Sequence, residues 1–506
     1  MTSIQIFDGN NTIGGNKIYI EENGGGLFLD FGMNFKKYGE FFQEYISPRI
    51  IRGIYDLFRL NLIPKLKIYR KDIIPSDIDV SSFSTLNVNA VLLSHAHMDH
   101  FGNIGLLNPD YPLVASPYTL ALLKGILDVS GMKLGTDVAY FSNRELKGDG
   151  RVLKSKGNIL FSRDFICTED YSDSLHDFLE LSVKSRSVLQ EGNLITLNTF
   201  SSNFEIAAFE VDHSIYGATA YLLSGDNTIA YTGDFRLHGK KGKMSEKFIN
   251  QAKNASILII EGTRTAREDI QESEEEVYEN CLNAAVDSKG LVIADFSARN
   301  FERMEAFKKI AKEVNRTLVI TAKDAYLLNA LRKVDGIERI KDITVYKELK
   351  TSTRYWEDKF LVDDVEINYI DPNMISKDPN NYILCFSFFD IKNLLDIKLE
   401  GGTYIYSSSE AFEEESEYPF IRLYNWLNFF NFDIVGFDVV EEDIRIKPQF
   451  MKGYHASGHV SKSDLIKVID TIDPDILIPV HTDYPEWFSE TFDNAVLLKD
   501  YEIYPV

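Results

Sequence analysis

Nothing in this chain restricts its fold and chemistry as sharply as Ser94-His95-Ala96-His97-Met98-Asp99-His100, which follows the apolar run Asn89-Ala90-Val91-Leu92-Leu93. A short apolar run ended by polar residues reads as a buried strand that stops at a loop. Functional side chains concentrate on loops held by such a scaffold. This loop carries three of the chain's nine histidines and a carboxylate within six residues. In extended chain His95 and His97 point the same way, toward one ion. Asp99 and His100, past the bend, address a second ion beside the first. Neutral imidazole and carboxylate are the ligands zinc takes at catalytic sites, where one position stays open for water. A solvated polar loop is the bland alternative, and it leaves the clustering unexplained.

Around that loop, length and composition set the frame. A chain of 506 residues has room for more than one core, and length alone suggests two to four domains. A hydrophobic share of 44% and a charged share of 26% are those of a soluble globular protein. No apolar run reaches the roughly eighteen residues of a membrane span. Met1-Thr2-Ser3-Ile4-Gln5-Ile6-Phe7 lacks the basic start and apolar core of a signal peptide. Cys167, Cys281 and Cys385 are odd in number and far apart, so neither a disulfide framework nor a Cys-x-x-Cys metal site is expected. The setting expected is reducing and cytoplasmic, with no membrane partner. The net charge of −23 counts against nucleic acid, because phosphate binding asks for a basic face. Divalent ions in a site would offset part of that charge locally.

Residues 1 to 35 read as a hairpin, with a strand over Asn16–Glu21, a turn at Gly24-Gly25-Gly26, and Leu27-Phe28-Leu29 leading to Asp30-Phe31-Gly32. Asp30 either orients a metal ligand from behind or makes an Asx turn, and the segment favours neither. Between residues 36 and 80, Ile50-Ile51, Ile54, Leu57-Phe58 and Leu60 follow helical spacing, which predicts an amphipathic helix and a connector. Its cations (Arg49, Arg52, Arg59, Lys65, Lys67, Arg70 and Lys71) read more readily as a solvated face than as a substrate approach. Tyr111–Ser116 reads as a strand and Pro117–Val129 as a helix, so the layers are α/β. Residues 130 to 204 show no pattern, and His176, among acids, reads as a surface residue.

Two further strand ends repeat the syntax of the first. Phe204–Val211 stops at Asp212-His213-Ser214, and Thr228–Thr232 runs into Gly233-Asp234-Phe235-Arg236. A lone strand-end His or Asp is usually structural. In this syntax the two are candidates for the third ligand of one ion and for a carboxylate bridging two. Lys240-Lys241-Gly242-Lys243 reads as a solvated basic loop, and the strand Ser256–Ile260 ends in Glu261-Gly262-Thr263. Beyond the acidic run Glu268–Glu276 come a strand (Leu291–Ala294), a helix (Asn300–Val314), a strand (Thr317–Thr321), a helix (Ala325–Arg332), and strands at Tyr382–Phe386 and Thr403–Tyr406. That alternation implies a parallel sheet. No Gly-x-Gly-x-x-Gly accompanies it, so a dinucleotide is not supported. Ser407-Ser408-Ser409 either offers hydroxyls to an anion or simply turns the chain. Tyr454-His455-Ala456-Ser457-Gly458-His459 precedes a helix around Ser463–Asp470, and the strand Pro474–Val480 ends at His481-Thr482-Asp483. His176 and His238 are given no role.

With these pieces in hand, the chain resembles the metallo-β-lactamase superfamily, and within it the β-CASP nucleases that include ribonuclease J. Asp30 matches the first motif, His95-Ala96-His97-Met98-Asp99-His100 the second, His213 the third and Asp234 the fourth. Glu261 resembles motif A, His459 motif B and His481 motif C. The 247 residues from Asp234 to His481 fit an inserted cap domain. The fold so implied is α/β: a metallo-β-lactamase αββα sandwich with an inserted β-CASP α/β cap domain. Residues 1–265 and 449–506 would form the sandwich and residues 266–448 the cap. Thr482-Asp483 stands where ribonuclease J members usually continue with Gly-Glu. The sequence also stops 25 residues after His481, short of the C-terminal domain that many bacterial relatives use in dimerisation.

The resemblance implies two zinc ions, with Mn²⁺ also acceptable to such ligands. One would be held by His95, His97 and His213, the other by Asp99, His100 and His481, with Asp234 bridging. Asp30 would hold the ligand loop. It further implies hydrolysis of single-stranded RNA, by internal or end-wise attack, in a cleft between the domains. A hydroxide activated by the metals would attack phosphorus, His459 would protonate the leaving oxygen, and Glu261 would orient His459. His455, Ser457, Ser407, Ser408 and Ser409 would grip neighbouring phosphates. The alternatives are a hydrolase of a small ester, thioester or lactam, which the acidic charge favours, a DNA nuclease, and a non-catalytic scaffold.

Overall fold

In a computed structural model, the chain divides into two compact units: Met1–Asp269 with Lys333–Asp335 and His459–Val506, and Ile270–Arg332 with Gly336–Gly458. The structure describes residues 2–43, 45–183, 186–267, 272–358, 367–408, 417–442 and 445–506.

The first unit is built on two sheets. One has eight strands in the order Leu194–Thr196, Phe165–Cys167, Leu113–Ala115, Val88–Leu92, Gly25–Leu29, Lys17–Glu22, Thr2–Asp8 and Ile503–Pro505. The other has five, in the order Glu205–Glu210, Thr219–Ser224, Thr228–Tyr231, Ile257–Glu261 and Ile476–Val480. Their facing side chains make one core, in which Ile4, Ile18, Leu27 and Leu92 meet Tyr221, Tyr231, Ile259 and Val480. The far face of the five-stranded sheet buries Ala230, Leu258 and Leu477 under Phe248, Val468, Ile469 and Phe488 of three helices. Sheets sandwiched in this way need apolar residues on both faces. The unbroken runs Val88–Leu92 and Ile257–Glu261, buried at nearly every position, supply them.

Register brings the chemistry to one edge. In the first sheet Leu29 pairs with Leu92 in parallel, so Asp30 and the histidine loop leave side by side. In the second, Tyr231 pairs with Ile259, and Glu261 with Val480, again in parallel. Asp234, Glu261 and His481 therefore leave from one end of three adjacent strands.

The second unit carries a seven-stranded sheet in which every pairing is parallel, in the order Asn368–Ile370, Thr344–Tyr346, Thr317–Ile320, Tyr382–Cys385, Leu291–Asp295, Gly402–Tyr406 and Phe432–Val435. Helices Phe301–Glu313 and Ala322–Asp335 fall where spacing predicts them.

Four segments depart from the sequence reading. Residues 36–80 do not form one amphipathic helix; short turns at Phe35–Gly39, Ile50–Arg52 and Tyr55–Arg59 replace it. Gly53 breaks the run with φ 55°, and a Cβ there would lie 2.0 Å from the Ile73 carbonyl. The N-terminal hairpin gains a third strand, Thr2–Asp8, paired antiparallel to Lys17–Glu22. Residues 130–204 hold short strands, among them Phe165–Cys167 and Leu194–Thr196, which extend the first sheet. Residues 449–458, grouped by sequence with the sandwich, belong to the second compact unit.

Candidate metal centre

Asp30 stands behind the histidine loop, fully buried, at φ 57°. Its carboxylate accepts from Ser94 N at 2.7 Å, Ser94 Oγ at 2.8 Å and Tyr231 OH at 2.6 Å. The fourth contact is His100 Nδ1, 2.7 Å away, which places the hydrogen on Nδ1 and leaves Nε2 to face inward. Asp30 thus holds Ser94, His100 and Tyr231 together, which is more than an Asx turn does. Gly32 lets the loop close on itself: a Cβ there would lie 1.5 Å from the Asp99 carbonyl oxygen.

Two groups of ligand atoms follow. His95 Nε2 lies 3.0 Å from His97 Nδ1, and His213 Nε2 lies 3.2 Å from the same atom. Tetrahedral zinc with nitrogen ligands at about 2.0–2.1 Å sets its ligands roughly 3.3 Å apart, so the spacing suits one ion. Burial and the neighbouring imidazoles hold His95 well below the usual histidine range, which keeps it in the neutral, ligating form.

The second group is Asp99, His100, Asp234 and His481, whose ligand atoms lie within 4.8 Å of one another. His100 Nε2 is 3.0 Å from Asp234 Oδ2, and His481 Nε2 is 3.2 Å from Asp99 Oδ2. Burial would lower the His100 pKa, yet Asp234, Asp99 and Asp30 outweigh it and raise it well above the usual value. A pocket that holds a positive charge against burial is one in which a cation fits. Asp234 Oδ2 also lies 3.7 Å from His95 Nε2 and 3.6 Å from His481 Nε2, so it faces both groups. Its Oδ1 is buried and has no hydrogen-bond partner among the described residues. An unpartnered buried carboxylate oxygen is costly, and a divalent ion between the two groups would satisfy it. The residues present therefore fit a metal.

Beside this centre, Glu261 accepts from Phe235 N at 3.1 Å and holds His459 Nδ1 at 3.0–3.1 Å. Burial alone would raise the Glu261 pKa, but the His459 charge and hydrogen bond bring it below the usual range. His459 responds the other way: burial lowers it, and Glu261 and Asp234 carry it above the usual histidine value.

The residues expected to grip phosphates behave differently. Both ring nitrogens of His455 face backbone carbonyls, Ser408 O at 2.8 Å and Gly436 O at 2.6 Å, which corrects the expectation that this imidazole meets phosphate. Ser407 is corrected likewise: it is buried, its hydroxyl donates to Tyr454 O at 2.8 Å, and Arg303 donates to it. Ser408 is buried, Ser457 is half-buried, and Ser409 lies outside the described residues. Lys241 pairs with Glu210, and His176 stays at the surface on Glu180, 3.1 Å away. Sequence reasoning passed over Ser94 and Tyr231, both of which hold Asp30. Ser94 was legible as the residue before the first histidine, whereas Tyr231 sits inside an ordinary apolar strand.

Comparison with known proteins follows the same lines. Residues 443–494 match the family described as Zn-dependent metallo-hydrolase RNA specificity domain. The chain is 22% identical over 426 residues to ribonuclease J of Sinorhizobium meliloti, covering 81% of this chain and 60% of that protein. It is 20% identical over 507 residues to ribonuclease J of Pyrococcus abyssi, covering 96% and 90%. The chain thus spans under two thirds of the first relative's length and nine-tenths of the second's. A solved structure from Enterococcus faecalis V583, described as a protein of unknown function, superposes with a TM-score of 0.68 at 23% identity over 99% of each chain, and so shares the fold.

Proposed function

We propose that this chain, a ribonuclease J-like member of the metallo-β-lactamase superfamily in its β-CASP branch, is a zinc-dependent ribonuclease that hydrolyses phosphodiester bonds of single-stranded RNA. The observation that carries the reading is the meeting of seven candidate ligand side chains in two groups, Asp234 of the second lying 3.7 Å from His95 of the first, with the His459–Glu261 pair against them. His95, His97 and His213 would hold one ion, and Asp99, His100 and His481 the other, with Asp234 between them. Bound zinc, or manganese, would supply Lewis-acid charge and lower the pKa of a water to near neutral.

The protein's own groups do the rest. His459 has Nδ1 committed to Glu261, so the proton it passes to the leaving ribose oxygen sits on Nε2. Glu261 fixes the plane of that ring and favours its charged form, the form a general acid needs. Asp30 and Ser94 keep His95 and His100 turned inward. The three cysteines are buried and unpaired, which suits a reducing, cytoplasmic setting. Among the described residues no helix is long and apolar enough to cross a membrane.

The net charge of −23 favours a second reading, a hydrolase of a small ester or lactam. Purified protein given labelled single-stranded RNA, single-stranded DNA and a chromogenic lactam separates the readings. RNA is the substrate expected to be cut. His97→Ala and Asp234→Ala should abolish that cleavage and His176→Ala should leave it intact. Turnover of the lactam alone would overturn the proposal.

A further inference from the structure

The two ligand groups are backed by the same arrangement of carboxylate, hydroxyl and imidazole. On one side the Ser94 hydroxyl donates to Asp30 at 2.8 Å and stands 3.0 Å from His95 Nδ1. On the other, the Thr263 hydroxyl donates to Glu261 Oε2 at 2.6 Å and stands 3.0 Å from His481 Nδ1. A hydroxyl has one proton and two lone pairs. With its proton given to the carboxylate, the oxygen only accepts. The hydrogen between Thr263 and His481 therefore belongs to Nδ1, and Nε2 keeps the lone pair that it turns toward Asp99, 3.2 Å away, and Asp234, 3.6 Å away. The same Thr263 oxygen lies 3.2 Å from His459 Nδ1, beside the bond that His459 makes to Glu261. His481 needs such a partner, because its backbone sits in the left-handed region at φ 52° and its ring is aimed from a strained position.

We infer that Thr263 is a positioning residue: it sets the tautomer and ring orientation of His481 for metal binding, from the same carboxylate that orients His459. The inference rests on the metal-centre reading above, and it adds a group that ties the loading of one ion to the acid beside it. Glu261 keeps other donors if the hydroxyl is lost, namely Phe235 N at 3.1 Å and Thr263 N at 3.3 Å. An isosteric replacement thus removes the link and leaves the carboxylate held.

The test is a cobalt(II) titration of the metal-free full chain, followed by visible absorption and by metal analysis after gel filtration. The wild type should take up two ions. Thr263→Val should keep the step due to His95, His97 and His213 and weaken the other on the order of 10–100-fold, as loss of a group behind a metal ligand does. Thr263→Ser should restore it to within a few-fold. A His97→Ala background lets the affected step be read by itself. Thr263→Ala gives a second reading if valine disturbs folding, which melts of the metal-free variants would reveal. Unchanged binding of both ions, equal weakening of both, or failure of serine to rescue would overturn the inference while the metal centre stands. A wild type that binds no cobalt overturns the centre and the inference together.

Discussion

A carboxylate with four donors around it, as Asp30 has in Ser94 N, Ser94 Oγ, Tyr231 OH and His100 Nδ1, cannot turn without losing several hydrogen bonds at once. Rigidity of that kind keeps ligands aimed while the site is empty, and it lowers the ordering cost of binding. Glu261 plays the corresponding part for His459. Because the Glu261 carboxylate beside it favours the charged form of His459, turnover should fall as pH rises and His459 loses its proton. His459→Ala should lower kcat by about 10²–10⁴-fold, change KM for RNA only a few-fold, and remove the basic limb of the pH–rate profile. Stopped-time cleavage assays across pH read all three. A large rise in KM at unchanged kcat would reject the proton-transfer role.

At the scale of elements, strands with long apolar runs were legible from sequence and short ones were not. Val88–Leu92, Ile257–Glu261 and Ile476–Val480 stand out because burial on both faces demands a continuous run. Phe165–Cys167 and Leu194–Thr196 have three residues each, too few for any period to show. The helical spacing between Ile50 and Leu60 misled for another reason: a carbonyl lies where a side chain on residue 53 would stand, and only glycine passes.

The strand Leu291–Asp295 of the second unit makes a separate prediction. Burial pushes the Asp295 carboxyl up to about 7, against the pull of the Tyr404 hydroxyl that donates to it, and nearby Asp390 adds to the rise. The unfolded chain releases this proton near pH 4. Between about pH 4 and 7 the folded state therefore binds more protons than the unfolded, and stability falls as pH rises. Asp295→Asn keeps an acceptor for Tyr404 and removes the charge. It should stabilise the protein at pH 8 by up to about 4 kcal/mol and change little at pH 4. Denaturant unfolding at the two pH values measures this, and equal effects at both would reject it.

For the molecule as a whole, a bound metal would be linked to the fold. Seven candidate ligands from loops as far apart as Asp99 and His481 crowd imidazoles and carboxylates together, and an ion that binds only the folded state stabilises it. Zinc at a hundred times its Kd should add about 2.7 kcal/mol per site, seen as a rise in Tm over the chelated protein. The rise should shrink as pH falls, because the imidazoles must be neutral to ligate. An unchanged Tm would sink the linkage. The same ions offset some of the −23 charge where RNA would approach.

The amino-acid sequence by itself determined the strand ends and the candidate ligand residues that stand on them, because a buried strand must be apolar and must stop where polar residues begin. It also determined the parallel sheet of the second unit, through alternating strands and helices. Only the tertiary structure decided which hydroxyls stand behind which imidazoles and that His455 and Ser407 are taken up by backbone groups. Those contacts join residues such as Asp30 and Tyr231, or Thr263 and His481, that lie about two hundred positions apart. Local chemistry has no means of specifying such pairs. The first exists because two sheets stack through a shared core, and the second because strands Ile257–Glu261 and Ile476–Val480, far apart in sequence, pair side by side in one sheet.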